Sequence, residues 1–462
     1  MSLELDLLTG LIDSAAGQGA EDEPEWKACR AWLHDTDLDG VDLEHHLEDA
    51  AQRVRALLLR RGHALDERHF RSPDSQEARF LPSGGSFDHS YERSLPVAGL
   101  ESRLGAGDPP PGWEHTCVVF RSCMAALGHL FGTLTHMLRP TERRPLTVGF
   151  WGDYFETDLL LEYQSSSVFS WRRIAPGDVA GTLSCEVLLL EPVRYNWSLD
   201  ALDVGAWVRA WRESPVRPRI VVVDTTLVSP VWPTERVLRA LGGDVLVVEV
   251  RSGLKLDQQG LELANLGIVD VYSRGGRGVP TAEQLGVVLR LARSTTGAGP
   301  SVADAAALDV PFVGDPAWQL RHAGAVLANN ARVAAEIADV QGVFAEVVHP
   351  SLLGVGHCPF VIVRLAEDTL VGHGLVLAAV RREAARRGIR FTHGSSFGFR
   401  SHRFETIVPR VAEGRGLFKV AAGAREGPFL DGVVEVLREI GGLPDLAALQ
   451  AKYPNLEPVP LT

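Results

Sequence analysis

Five short apolar runs recur between residues 146 and 272: Leu146-Thr147-Val148-Gly149-Phe150, Val187-Leu188-Leu189-Leu190, Ile220-Val221-Val222-Val223, Val245-Leu246-Val247-Val248-Glu249-Val250 and Val269-Asp270-Val271-Tyr272. They are continuous rather than alternating, and β-branched residues dominate them. A strand of that kind needs apolar cover on both faces, which a parallel sheet with helices on each side supplies. The intervening stretches are long enough for crossover helices. The runs therefore predict an α/β fold whose mostly parallel sheet forms a large domain over residues 113–315. A long helix over Ala317–Val340 leads into a smaller α+β C-terminal domain, residues 316–462. Its expected strands are Val343–Val348, Phe360–Leu365 and Gly416–Ala421, and its helices Val371–Arg387 and Asp431–Ile440. Residues 1–70 read as peripheral helices, with Leu43, Leu47, Ala50, Val54 and Leu57 on one face. Residues 70–112, carrying Arg71-Ser72-Pro73-Asp74, Pro82-Ser83-Gly84-Gly85 and Pro109-Pro110-Pro111, read as an extended arm.

Functional side chains in such sheets collect just past the carboxyl ends of strands. Arg219-Ile220-Val221-Val222-Val223-Asp224 ends on an acid, and the next run is followed by Arg251-Ser252-Gly253-Leu254-Lys255-Leu256-Asp257. An acid at one strand end and an amine past the next is the pair that a pyridoxal phosphate (PLP) site requires. The lysine forms the Schiff base, and the carboxylate keeps the pyridine nitrogen protonated so that the ring can act as an electron sink.

Composition removes other classes. The net charge of -13 argues against nucleic acid or an anionic membrane as partner. No apolar run reaches the roughly 18 residues of a membrane span. Met1-Ser2-Leu3-Glu4-Leu5-Asp6 lacks the basic start of a signal peptide, so a cytoplasmic location is expected. Cysteines 29, 117, 123, 185 and 358 form no metal-spaced cluster, and their odd count argues against a disulfide framework. Asp35-Thr36-Asp37-Leu38-Asp39-Gly40 opens like a calcium loop, but Asp42 and His46 stand where an apolar residue and the bidentate glutamate belong. No metal is expected.

Six further segments carry a family resemblance. Tyr91-Glu92-Arg93-Ser94-Leu95-Pro96 with Leu100-Glu101 resembles the Tyr-x-Arg-x-x-Pro…Leu-Glu arm of the cystathionine γ-synthase and γ-lyase family of PLP enzymes of Cys/Met metabolism. Phe120-Arg121-Ser122-Cys123-Met124-Ala125-Ala126 is similar to its Ser-Gly-Met-Ala-Ala helix start, and Tyr154-Phe155-Glu156-Thr157 to its Tyr-Gly-Gly-Thr. Asp224-Thr225-Thr226-Leu227-Val228-Ser229-Pro230 resembles Asp-Asn-Thr-Phe-x-x-Pro, and Ser252-Gly253-Leu254-Lys255 resembles Ser-x-Thr-Lys. Ser396-Phe397-Gly398 with Ser401, then Leu417-Phe418-Lys419-Val420-Ala421-Ala422-Gly423, are similar to Ser-Leu-Gly…Glu-Ser and Val-Arg-Leu-Ser-Val-Gly. Each motif is degenerate; their shared order from about residue 85 to 442 is what identifies a divergent member.

The resemblance implies the aspartate aminotransferase-like fold of PLP-dependent transferases; residues 1–112 are taken as a helical extension, of which 1–80 fall outside the resemblance, and an intersubunit arm. It implies PLP held by Lys255, Asp224, Thr226, Ser252 and the helix start Ser122, Cys123 and Met124, with Tyr154 against the ring as a second acid or base. Tyr91 and Arg93 would reach the phosphate of a neighbouring subunit, making a homodimer the minimal active unit and a homotetramer the expected assembly. The family's asparagine beside the cofactor hydroxyl is taken as Asn196 with a one-residue slip, whereas Tyr195 fits the count. Lys419 stands where the family has an arginine for the substrate carboxylate, and lysine cannot make the bidentate fork. The carboxylate is therefore expected on Ser396 with Lys419, Arg400 or Arg403, or else the substrate itself is unusual. The implied reaction is γ-elimination or γ-replacement on a γ-substituted L-amino acid in specialised metabolism. Halide loss from a chlorinated allylglycine is one version. A β-eliminating C–S lyase on the same scaffold and a non-catalytic relative are the alternatives.

Overall fold

The computed structural model describes residues 2–16, 23–35, 37–72, 79–89, 91–105, 107, 109–138, 145–242, 244–275, 278–407 and 416–461. Thr36 of the calcium-like segment and residues 73–78 of the expected arm lie outside the described residues. The chain opens with three helices, α1 (Ser2–Ala16), α2 (Glu23–His34) and α3 (Gly40–Glu67). The short ladder β1 (Arg79–Phe80) and β2 (Ser86–Phe87) and the helix α4 (Ala98–Leu104) occupy the expected arm.

The large sheet has seven strands: β3 (Glu114–Phe120), β4 (Leu146–Trp151), β5 (Phe169–Arg173), β6 (Val187–Leu190), β7 (Ile220–Asp224), β8 (Leu246–Ser252) and β9 (Gly267–Ser273). Their order is β3-β9-β8-β7-β6-β4-β5, and β9 alone runs against its neighbours. The five apolar runs are five of these strands; β3 and β5 are additions. The two-sided burial is literal. Leu188, Leu190, Val221 and Val223 enter the core on one face, whereas Val187, Leu189, Ile220 and Val222 enter the core on the other. Each such side chain contributes about 1.5–3 kcal/mol, which is why Val187–Leu190 and Ile220–Val223 are apolar throughout. Helices α5 (Cys123–Met137), α6 (Phe155–Gln164), α7 (Val204–Glu213), α8 (Thr234–Leu241), α9 (Ala282–Thr296) and α10 (Val302–Ala307) complete this part.

Helix α11 (Pro316–Ile337) leads to the second sheet, with strands β10 (Phe344–Val348), β11 (Val361–Leu365), β12 (Phe391–His393), β13 (His402–Ile407) and β14 (Leu417–Ala421) in the order β10-β11-β14-β13-β12. It is antiparallel except for the β12–β13 pair. Helices α12 (Leu370–Arg386), α13 (Pro428–Gly441) and α14 (Leu446–Lys452) accompany it.

The expectation of peripheral helices at residues 1–70 is corrected. Leu8, Leu11, Leu47, Ala50 and Val54 share one core with Leu266, Ile268, Val310 and Phe312. Glu4 pairs with Arg400, Glu48 with Arg425 and Asp49 with Arg390. These helices thus pack against the large sheet and pair with the C-terminal part of the chain. Among the described residues no helix is long and apolar enough to cross a membrane.

Candidate active site

The carboxyl ends of the parallel strands meet the second sheet at a cavity of about 430 Å³. Strand β7 delivers Asp224, whose carboxylate accepts the Thr226 N–H at 3.0 Å. Thr226 Oγ1 in turn accepts the N–H of Ser252, the last residue of β8, at 3.0 Å. Lys255 lies on the turn beyond, and its Nζ donates to Ser252 Oγ at 2.9 Å. That turn is clamped by buried Arg251, which donates to Asp257 at 3.0 Å, to Asp270 and to the Leu104 carbonyl at 3.1 Å. Gly398 closes over the lysine with φ of +79°, and a Cβ there would stand 3.0 Å from Leu256 and 3.3 Å from the Lys255 carbonyl carbon.

Helix α5 points its amino end into the cavity. Ser122 caps it by accepting the Ala125 N–H at 3.1 Å. The N–H groups of the first turn have no partners within the helix and favour an anion. Gly267 lets β9 pass beside this cap, since a Cβ there would fall 2.2 Å from the Ser122 carbonyl oxygen. Tyr154 precedes α6 and donates its hydroxyl to Glu156 at 2.8 Å. Glu191 follows β6 and accepts backbone N–H groups from Asp153 at 2.9 Å and Tyr154 at 3.2 Å.

The second sheet and its loop form the opposite wall. Glu405 on β13 and Lys419 on β14 are directly opposed in register and form an ion pair. Glu405 also accepts the Ser396 N–H at 3.3 Å, and Lys419 Nζ donates to the Tyr195 hydroxyl at 3.3 Å. The Lys419 ammonium lies within 6 Å of three ring centres: Phe360 at 5.3 Å, Tyr195 at 5.7 Å and Phe397 at 5.9 Å. Lys255 Nζ lies 5.6 Å from the same Phe397 ring.

Burial sets the protonation pattern. It pushes the Asp224 carboxyl up, opposed by the Thr226 hydrogen bonds and the Lys255 ammonium. It pulls Lys255 below the ordinary lysine range and Lys419 likewise, the latter opposed by Glu405. Glu191 is driven to about 8 by burial, against its backbone donors. Tyr154 is raised far above the usual phenol by burial and then by Glu156. Burial also raises the Cys123 thiol, so it is no thiolate nucleophile.

Of the residues proposed from sequence, Lys255, Asp224, Thr226, Tyr154, Ser122, Cys123, Met124, Ser252, Ser396 and Lys419 line this one cavity. Three do not. Asn196 is corrected: its amide donates to Asp153 at 2.8 Å and Asp200 at 2.9 Å, outside the cavity, and Tyr195 takes the wall position. Arg400 is buried against Glu4 and the Gln259 carbonyl, and Arg403 pairs with Glu262 at 2.6 Å while covering Phe399. Both guanidiniums belong to the rear face, not to the cavity. Tyr91 and Arg93 are exposed, with the guanidinium 5.2 Å from the ring centre, and they do not line the cavity of their own chain. Sequence reasoning missed Glu156, Glu191, Phe397 and Glu405. Glu191 carried a signal, as the first residue after an apolar run; Glu405 carried none. Among the described residues no cluster of His, Cys, Asp or Glu could hold a metal ion.

No protein-family model and no curated protein matches this chain. Solved structures do. A methionine gamma lyase from Micromonospora echinospora matches with TM-score 0.52 at 20% identity, covering 79% of this chain and 89% of that one. A cystathione gamma lyase structure from the same organism matches with TM-score 0.53 at 20% identity, covering 80% and 90%. The metB protein of Corynebacterium glutamicum matches with TM-score 0.56 at 16% identity, covering 82% and 97%. The likeness is one of fold, and this chain shares the α/β fold of those lyase and metB structures over most of its length.

Proposed function

We propose that the chain is a PLP-dependent enzyme that eliminates or replaces a γ-substituent on an amino-acid-derived substrate. The observation that carries this reading is the half-buried Lys255 and Asp224, set at the carboxyl ends of adjacent parallel strands beside the amino end of α5. The residues fit the cofactor. Asp224 is a half-buried carboxyl that burial pushes up, and a pyridinium nitrogen would supply the positive charge that holds it ionised. Ser122, Cys123, Met124 and Ser252 would hold the phosphate at the helix start. Thr226 fixes the Asp224 carboxylate, and Tyr154 would lie against the ring. When bound, PLP supplies an electron sink for charge developing at the substrate Cα.

The chain's own residues supply the rest. Lys255, with its depressed proton affinity, gives up its proton readily and so can take one from Cα and return it at the neighbouring carbons. Asp224 holds a proton on the ring nitrogen. Tyr154 keeps its hydroxyl proton, so it acts as a hydrogen-bond donor and acid toward the leaving group and not as a base. Exposed Tyr91 and Arg93 would complete the phosphate site of a neighbouring subunit, in a homodimer or a pair of such dimers.

The test is spectroscopic. Purified protein given PLP is expected to absorb near ~420 nm, and Lys255→Ala to lose that band. A protein that stays colourless with added PLP sinks the reading. Incubation with amino-acid derivatives bearing thiol, ester or halide leaving groups at Cγ, the chlorinated allylglycine among them, then sorts γ-elimination from γ-replacement by product. A substrate that reacts only at Cβ assigns the C–S lyase alternative.

A further inference from the structure

The cavity wall opposite Lys255 is already electrically satisfied. Four carboxyl groups, Glu156, Glu191, Asp224 and Glu405, face two ammonium groups, Lys255 and Lys419, around the cavity. With Glu191 neutral, three carboxylates still face two cations. Lys255 and Asp224 are committed to the cofactor in the reading above. That leaves Lys419, whose side chain is only 3% exposed and whose ammonium is enclosed by Glu405, the Tyr195 hydroxyl and three aromatic rings. Glu405 holds two donors of this wall, the Lys419 ammonium and the Ser396 N–H. The strand register sets the pair opposite each other, so the arrangement is built into β13 and β14. An incoming carboxylate would meet a carboxylate already holding those donors.

We infer that Glu405 acts as a built-in counter-ion that excludes a free substrate carboxylate, so that the substrate is an amino-acid derivative whose carboxyl group is uncharged, such as an amide or an ester. The inference rests on the proposed function for its reaction, but not for its test. Like charges placed together disfavour binding, whereas an amide or ester can face Glu405 and Tyr195 with a neutral dipole.

Isothermal calorimetry compares L-methionine, L-methioninamide and L-methionine methyl ester on the full-length protein, with and without added PLP. It needs neither colour nor turnover, so a protein that takes up no PLP refutes the proposed reaction while this comparison is still read. The amide and ester are expected to bind wild type at least ~10-fold more tightly than the free acid. In Glu405→Gln, which leaves Lys419 free to meet a carboxylate, the preference should narrow by a similar factor or reverse. Glu405→Ala serves if the glutamine variant fails to fold. Free acid binding as tightly as the amide in wild type, an unmoved ratio in a folded Glu405 variant, or no binding of any of the three would overturn the inference.

Discussion

Replacing Arg251 should damage stability and the candidate site together, because one guanidinium holds two buried carboxylates under the Lys255 turn. Its Nε donates to Asp257 at 3.0 Å, one Nη to Asp270 and the other to the Leu104 carbonyl at 3.1 Å. The side chains of Arg251, Asp257 and Asp270 are 8%, 3% and 0% exposed, so water cannot take over. Breaking a buried pair from one side costs about 3–5 kcal/mol. Arg251 serves two acids, but His115 stays on Asp270 at 2.9 Å and Gln319 on Asp257 at 3.2 Å. Arg251→Met is therefore expected to lose about 4 kcal/mol, and Arg251→Lys, a point charge able to serve one acid, about 2 kcal/mol. The deficit depends on pH with a definite sign. Arg251, then His115, holds the Asp270 carboxyl below its ordinary range against burial. In wild type that contribution is present above the unfolded carboxyl value and is lost as pH falls through the folded one. In the methionine variant burial is left to raise Asp270, so the penalty is greatest at neutral pH and shrinks toward acid. Equilibrium urea unfolding at neutral and mildly acidic pH measures both terms, and PLP absorbance reports whether Lys255 keeps its place. A loss under about 1 kcal/mol, or one that does not change with pH, would refute the reasoning.

Glu191→Gln should flatten a pH slope. The folded carboxyl sits near 8 and an exposed one near 4.5, so wild-type stability is fullest below the lower value and declines until the upper one. The difference between the two proteins should change by up to about 5 kcal/mol across that window, read as melting temperature against pH. Tyr154→Phe should leave folding and PLP uptake intact and lower turnover by about 10²–10⁴-fold, because it removes a proton donor and little packing; an unchanged kcat would dismiss Tyr154 as the acid. Gly398→Ala places a Cβ at a φ of +79° and against the Lys255 backbone. About 1–3 kcal/mol of strain and weaker PLP uptake are expected, measured by unfolding and by cofactor titration.

The parallel part of the fold was legible because its strands are buried on both faces and so are mostly apolar. The same logic explains what was unreadable. Strand β5, Phe169-Ser170-Trp171-Arg172-Arg173, is an edge strand beside β4 only, and its outer positions are solvated, so no apolar run marks it. Strand β3 begins with Glu114 and His115, whose polar groups are spent on Ser273 and Asp270. Strand β12 is three residues long with Thr392 and His393 exposed. In each case pairing within the sheet, not local sequence, decides the conformation.

The candidate site divides along the same line. Lys255 and Asp224 were readable because a strand end fixes where its next side chain goes, and Ser122 because a helix cap has its own residue preference. The arginines misled because an unpaired cation in sequence is not one in space. Arg400 is claimed by Glu4, nearly the whole chain away, and Arg403 by Glu262. Lys419 was read as one of three alternative carboxylate binders on the same incomplete ground, since its partner Glu405 is 14 residues earlier and meets it only through antiparallel register. Substrate charge preference therefore resides in a cross-strand pair, and the helices at residues 1–70 contribute by withdrawing Arg400 and Arg425 into their own ion pairs. Once those guanidiniums are spent on Glu4 and Glu48, the cavity keeps an acidic balance that no single motif encodes.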